Sequence, residues 1–278
     1  MRHSGRLLYD GMGVTTSTEW TASTLVFRIF QNKRQNLLEK PFPEEWRTIL
    51  TTNCIFYNRL PVAQKASLED IVKVIVGEKN WEGCKGLGMT QEIKVSIAAQ
   101  ASRLILAIKH DYFSNVESIL VYPYNYMAIE KVTGPDNAVN LVPNVRLGEA
   151  WSQGPVILSW PEVLAGGRNE LDGRNVVYHE FAHKLDYNNG SADGVPRLQD
   201  QDLYDRWSSV MSSEFDTLVE ESREGQVRLL NAYGATNPAE FFAVSTECFF
   251  EQSQAMRHVY PDLYRVLSDY YKQDPAAG

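Results

Sequence analysis

Histidine and cysteine are scarce in this chain of 278 residues, five of the one and three of the other. Cys54, Cys84 and Cys248 lie far apart with no Cys-x-x-Cys pair, which argues against a disulfide framework or a thiolate metal site and for a reducing compartment. No run of basic residues occurs. With a net charge of −8 and a pI of about 5.2, the chain offers no electrostatic footprint for binding nucleic acid directly. Long apolar runs are missing too: near the N-terminus Thr24-Leu25-Val26-Phe27 is cut by Arg28, leaving neither a signal-peptide core nor a membrane span. The expected compartment is the cytoplasm. What is present is a hydrophobic content of 44%, enough to bury one sizeable core.

Two of the few histidines stand four residues apart in Val176-Val177-Tyr178-His179-Glu180-Phe181-Ala182-His183-Lys184-Leu185-Asp186. On a helix they share one face, one turn apart, aimed at a common point. That is the arrangement by which two imidazoles grip one zinc ion. Val177, Phe181 and Leu185 repeat at a spacing of four on the side away from the histidines, so one face can bury while the other lines a cleft. Glu180, between the ligands, is placed to take the proton of a metal-bound water as a general base.

The order of elements around this stretch reads as α+β, mostly helical with a small mixed β-sheet. Residues 1–24, rich in Ser, Thr and Gly, form an expected flexible tail with Met12 as a candidate start, followed by one catalytic domain over residues 25–278. Its N-terminal part, to about residue 110, is helical. A helix is expected from Pro41-Phe42-Pro43-Glu44-Glu45-Trp46, and a second from Ser67, whose spacing to Asp70 resembles a capping pattern. A long core helix follows over Thr90 to Lys109 on its apolar stripe. Ile119-Leu120-Val121-Tyr122 and Val156-Ile157-Leu158-Ser159-Trp160 read as strands, the latter ended by Pro161, with a loop or short hairpin over Val132 to Val145. The second strand either belongs to the core or pairs with an extended substrate backbone. Further helices are expected over Asp202 to Gln226, from Asn237-Pro238-Ala239-Glu240, and from Pro261.

A catalytic zinc needs a third protein ligand, with the fourth position left to water. The metzincin extension is excluded, because its glycine and third histidine positions hold Asp186 and Asn189. His3, His110 and His258 lack motif context. Glu240, Glu247 and Glu251 share a downstream helix, and Glu240 and Glu247 are equally good candidates for the ligand, although Glu240 also fits a capping box with Asn237. Asp186, one turn past His183, is a further option as a ligand or as a hydrogen-bond partner of an imidazole.

The motif string, the later Gly194-Val195-Pro196, Asn231-Ala232-Tyr233, Asn237-Pro238-Ala239-Glu240-Phe241-Phe242-Ala243-Val244, Gln153-Gly154-Pro155-Val156-Ile157-Leu158-Ser159-Trp160 and the closing Tyr271-Lys272-Gln273-Asp274-Pro275 together resemble the Mlc titration factor A (MtfA) family of bacterial zinc peptidases. The resemblance runs from about Phe27 to Pro275. It implies a zincin-like fold, one Zn2+ per chain with Glu240 as third ligand, and Tyr233 as a transition-state stabiliser, as in the related catalytic domain of anthrax lethal factor. It also implies aminopeptidase activity on peptide substrates and a glucose-responsive transcriptional repressor of the Mlc type as a partner. The competing expectation is a non-catalytic anti-repressor that sequesters a transcription regulator and whose zinc is structural. The intact Glu180 favours the enzyme, since a structural site has no use for a general base and is usually closed by four protein ligands.

Overall fold

Proline recurs at helix starts in this chain, at Pro43, Pro61, Pro161, Pro238 and Pro261. In this computed structural model, residues 32–124, 128–133, 139–144 and 154–277 are described; the expected tail, Met12 and His3 lie outside them. A helix described over residues 32–38 (α1) is followed by α2 (Glu44–Asn53), which Pro43 precedes, α3 (Ile55–Arg59) and α4 (Val62–Glu78). The start of α4 corrects the sequence reading. The helix begins after Pro61, and the Ser67 hydroxyl donates to the Ala63 carbonyl at 3.1 Å in mid-helix instead of capping anything.

Next come β1 (Asn80–Gly83), α5 (Gln91–Ile105), β2 (Ser118–Tyr122), the antiparallel pair β3 (Ala128–Thr133) and β4 (Val139–Asn144), and β5 (Val156–Ser159). Thr90 caps α5 by accepting from the Ile93 amide. The α+β class stands, and the sheet is parallel throughout, in the order β1-β2-β5, with β3 and β4 pairing apart from it. Pro161 opens the helix α6 (Trp160–Arg168) directly after β5, where the sequence suggested only a strand end.

The C-terminal half is helical: α7 (Val176–Asp186), α8 (Gln201–Glu224), α9 (Pro238–Glu251), α10 (Ser253–Val259) and α11 (Pro261–Tyr271). No helix among the described residues is long and apolar enough to cross a membrane. The innermost helix is α9, buried at every position from Glu240 to Glu251. Phe241, Phe242, Phe249 and Phe250 fill the core around it, with Trp207 of α8 and Tyr270 and Tyr271 of α11 packed edge-on or stacked against them. On another side α5 and α7 enter the same core through Ile97, Ala101, Leu104, Val177 and Phe181.

Backbones also approach closely where α6 meets α2. A Cβ on Gly167 would lie 2.1 Å from the Asn53 carbonyl oxygen, and next to it the Arg168 guanidinium donates to Asn53 Oδ1 at 2.6 Å. Only glycine fits there. Gly167→Ala is therefore expected to lower stability by roughly 1–3 kcal/mol in urea unfolding; an unchanged midpoint would mean that α6 and α2 are not in contact at this point.

Candidate metal centre and active site

The site is built on the first two turns of α7. Asn175 caps that helix, its Oδ1 accepting from the amides of Val177 and Tyr178 at 3.1 and 3.0 Å. The far face of the helix is fixed by apolar packing of Val177 and Phe181 and by Tyr178, whose hydroxyl accepts from Arg103 Nη1 at 3.1 Å while Arg103 pairs with Glu170 at 2.7 Å. With that face held, His179 and His183 are turned toward α9.

On α9 the Glu240 carboxylate meets both imidazoles. Its Oε2 lies 3.0 Å from His179 Nε2 and 3.3 Å from His183 Nε2, and the two Nε2 atoms are 3.2 Å apart. Among the described residues these three side chains form a group able to hold a metal ion, with all ligand atoms within 4.8 Å of one another. Two imidazole nitrogens and a carboxylate oxygen converging on one buried point fit a cation of the zinc type. Asn237 Oδ1 accepts from the Glu240 amide at 3.0 Å, so Asn237 does cap α9, while the Glu240 carboxylate turns to the histidines. Burial opposes ionisation of Glu240, but hydrogen bonds from the two imidazoles outweigh it and hold the carboxyl down to about 2.

The other candidates separate clearly. The Glu247 carboxylate lies behind the first histidine, on Nδ1 at 2.7 Å, and is not among the converging atoms. Asp186 is fully buried and accepts from the Gly194 amide at 2.9 Å; it holds the loop after α7 and lies outside the converging group. His110 packs edge-on against Tyr112, and His258 is exposed. Glu180 is 5% exposed, and its Oε1 has no hydrogen-bond partner among the described residues. Burial pushes its carboxyl up to about 8, His179 opposing and Glu240 reinforcing the shift. Tyr233 sits on the short 3-10 turn Ala232–Ala235, 39% exposed, its ring 6.0 Å from that of His179.

A supporting layer escaped the sequence reading. The Asn175 side chain donates to Gln100 Oε1 at 2.9 Å and to Glu251 Oε1 at 3.1 Å, and its backbone amide donates to Glu247 Oε2 at 2.7 Å. The Lys184 ammonium donates to the Gly154 carbonyl at 2.9 Å, tying α7 to the residues just before β5. Two signals were available for this layer: Asn three residues ahead of Tyr178, a capping position, and the spacing of Glu240, Glu247 and Glu251, which falls on one helical face.

Residues 28–272 match the family described as glucose-regulated metallo-peptidase M90. The chain belongs to this family. Similar proteins include an uncharacterized protein of Synechocystis, 37% identical over 245 residues that cover 87% of this chain and 89% of the relative. The Mlc titration factor A of Serratia proteamaculans is 32% identical over 210 residues, 73% of this chain and 78% of that protein. The protein of the same name from Pectobacterium atrosepticum is 33% identical over 192 residues, 68% and 71% of the two chains. The matched span encloses the whole converging group, and M90 membership makes the function that of a metallopeptidase.

The buried layer carries a pH signature. Burial pushes the Glu251 carboxyl up to about 9, against the hydrogen bond from Asn175 and the charge of Arg103. Since the folded chain retains this proton where the unfolded chain loses it, stability falls as pH rises from the ordinary carboxyl range toward 9. Glu251→Gln is expected to flatten that decline and to raise stability at pH 8 by on the order of 1 kcal/mol or more, read by urea unfolding across pH. A wild-type pH profile that the variant leaves unchanged would remove Glu251 as its source.

Proposed function

We propose that this chain is a zinc-dependent peptidase, in particular an aminopeptidase, with His179, His183 and Glu240 as the metal ligands, one Zn2+ per chain, and Glu180 and Tyr233 as catalytic residues. The observation that carries the reading is the convergence of the two Nε2 atoms and Glu240 Oε2 on one point, with Glu180 Oε1, which has no hydrogen-bond partner among the described residues, on the helix of the two histidines. Zinc, when bound there, would polarise a water molecule and the scissile carbonyl as a Lewis acid. Glu180 takes the proton of the attacking water and passes it to the departing amine. Its buried setting suits that task, because a carboxylate removed from water is a stronger base. From the solvent-facing side, Tyr233 donates a hydrogen bond to the oxygen on which negative charge develops.

The extended peptide lies along β5, an edge strand of the sheet among the described residues, which Lys184 ties to the motif helix. Pairing of that kind recognises backbone and is indifferent to most side chains. On the likeness to two relatives named Mlc titration factor A, we extend the proposal to a protein partner, a glucose-responsive transcriptional repressor of the Mlc type. The cytoplasm is the compartment that suits such a partner and the three free cysteines.

Elemental analysis combined with hydrolysis of aminoacyl chromogenic substrates tests the assignment. Near one zinc per chain is expected in wild type and little in Glu240→Ala. Glu180→Gln should keep the metal and lose about 10²- to 10⁴-fold in kcat, and Tyr233→Phe should lose roughly 10²-fold in kcat with little change in metal content. Full turnover by Glu180→Gln would sink the general-base role. Zinc without any turnover in wild type would favour the anti-repressor reading, with a structural metal.

A further inference from the structure

Glu247 stands almost two turns of α9 beyond Glu240, on the same face, and the two carboxylates clasp the His179 ring from opposite sides: Glu240 at Nε2 and Glu247 at Nδ1. Both Glu247 oxygens are engaged at 2.7 Å, Oε1 with His179 Nδ1 and Oε2 with the backbone amide of Asn175. The position of that amide is itself held. Asn175 Oδ1 accepts from two amides of α7, and its side-chain nitrogen donates to Gln100 and to Glu251. Gln100 in turn donates to the Val163 carbonyl at 3.1 Å. Glu247 is buried, which limits the access of water to its carboxylate.

We propose that Glu247 is the positioning residue of the first histidine: it keeps a proton on His179 Nδ1, so that Nε2 is the nitrogen left to a metal ion, and fixes the ring plane against the cap of its own helix. The role presupposes that His179, His183 and Glu240 hold the metal. A carboxylate behind an imidazole selects the tautomer and strengthens the opposite nitrogen as a ligand, and loss of such a partner costs about 10- to 100-fold in metal affinity.

The two oxygens make the isosteric variant informative. In Glu247→Gln one acceptor becomes an NH2 donor. The Asn175 amide can only donate, so the remaining oxygen stays with it and the NH2 faces Nδ1. His179 can satisfy that donor only by moving its proton to Nε2, which points it into the converging group. Glu247→Gln is thus expected to bind Zn2+ alone about 10- to 100-fold more weakly than wild type in competition with a chromophoric chelator. Affinity within twofold of wild type, in a variant with wild-type circular dichroism, would overturn the role. A Glu240→Ala control separates the two levels: if it also binds zinc as wild type does, the ligand assignment fails, whereas loss in Glu240→Ala with retention in Glu247→Gln removes only the positioning role. Should Glu247→Gln not fold, nitrogen NMR of the imidazoles in wild type decides. A protonated His179 Nδ1, with and without Zn2+, is the expected result, and a bare Nδ1 contradicts it.

Discussion

Two helices far apart in the chain must meet at hydrogen-bond distance, and buried charge sets how closely their register has to be kept. On α9 the acids Glu240, Glu247 and Glu251 are all less than a tenth exposed, and each finds a partner on α7 or at its cap. Burying a carboxylate without a partner is expensive, several kcal/mol in ordinary cases. Sliding α9 by one residue would turn all three away from His179 and Asn175. Aromatic packing holds the helices together, and the acids decide in which alignment.

Much of this was legible in advance. The His-Glu-x-x-His spacing located the site, the alternation of apolar and polar positions located α5, α8 and α11, and Asn237-Pro238 marked the start of α9. The third ligand was not decidable on spacing, for a physical reason: Glu240 and Glu247 differ by seven residues, almost two full turns, and so share a face. Which of them meets Nε2 and which meets Nδ1 depends on how far α9 is displaced along α7, a tertiary quantity with no local signal. The misplaced start of α4 has another origin, since Ser67 mimics a cap while Pro61 dictates the real one. β1 was missed because Asn, Glu and Gly are poor strand formers, and it pairs only because β2 lies beside it.

The loop after α7 shows how the two halves of the site are spaced. Gly194 has φ +78, donates its amide to Asp186, and comes so near the start of α9 that a Cβ would lie 2.4 Å from the Pro238 carbonyl oxygen. Its own carbonyl accepts from the Trp207 indole at 3.1 Å. One residue thereby joins the end of the histidine helix, the start of the glutamate helix and the long α8, and its lack of a side chain sets their separation. Asp186, a candidate ligand by position, serves this joint.

The contrast between the buried and the exposed parts of the site bears on where binding energy is spent. The wall formed by α7 and α9 is buried and cross-linked by hydrogen bonds before any substrate arrives, so little conformational entropy is lost there on association. Tyr233 stands on the short turn that packs against α9 and is itself well exposed to solvent. A ligand at this site therefore meets a preformed floor, and the side-chain entropy still to be lost on association lies at the exposed phenol.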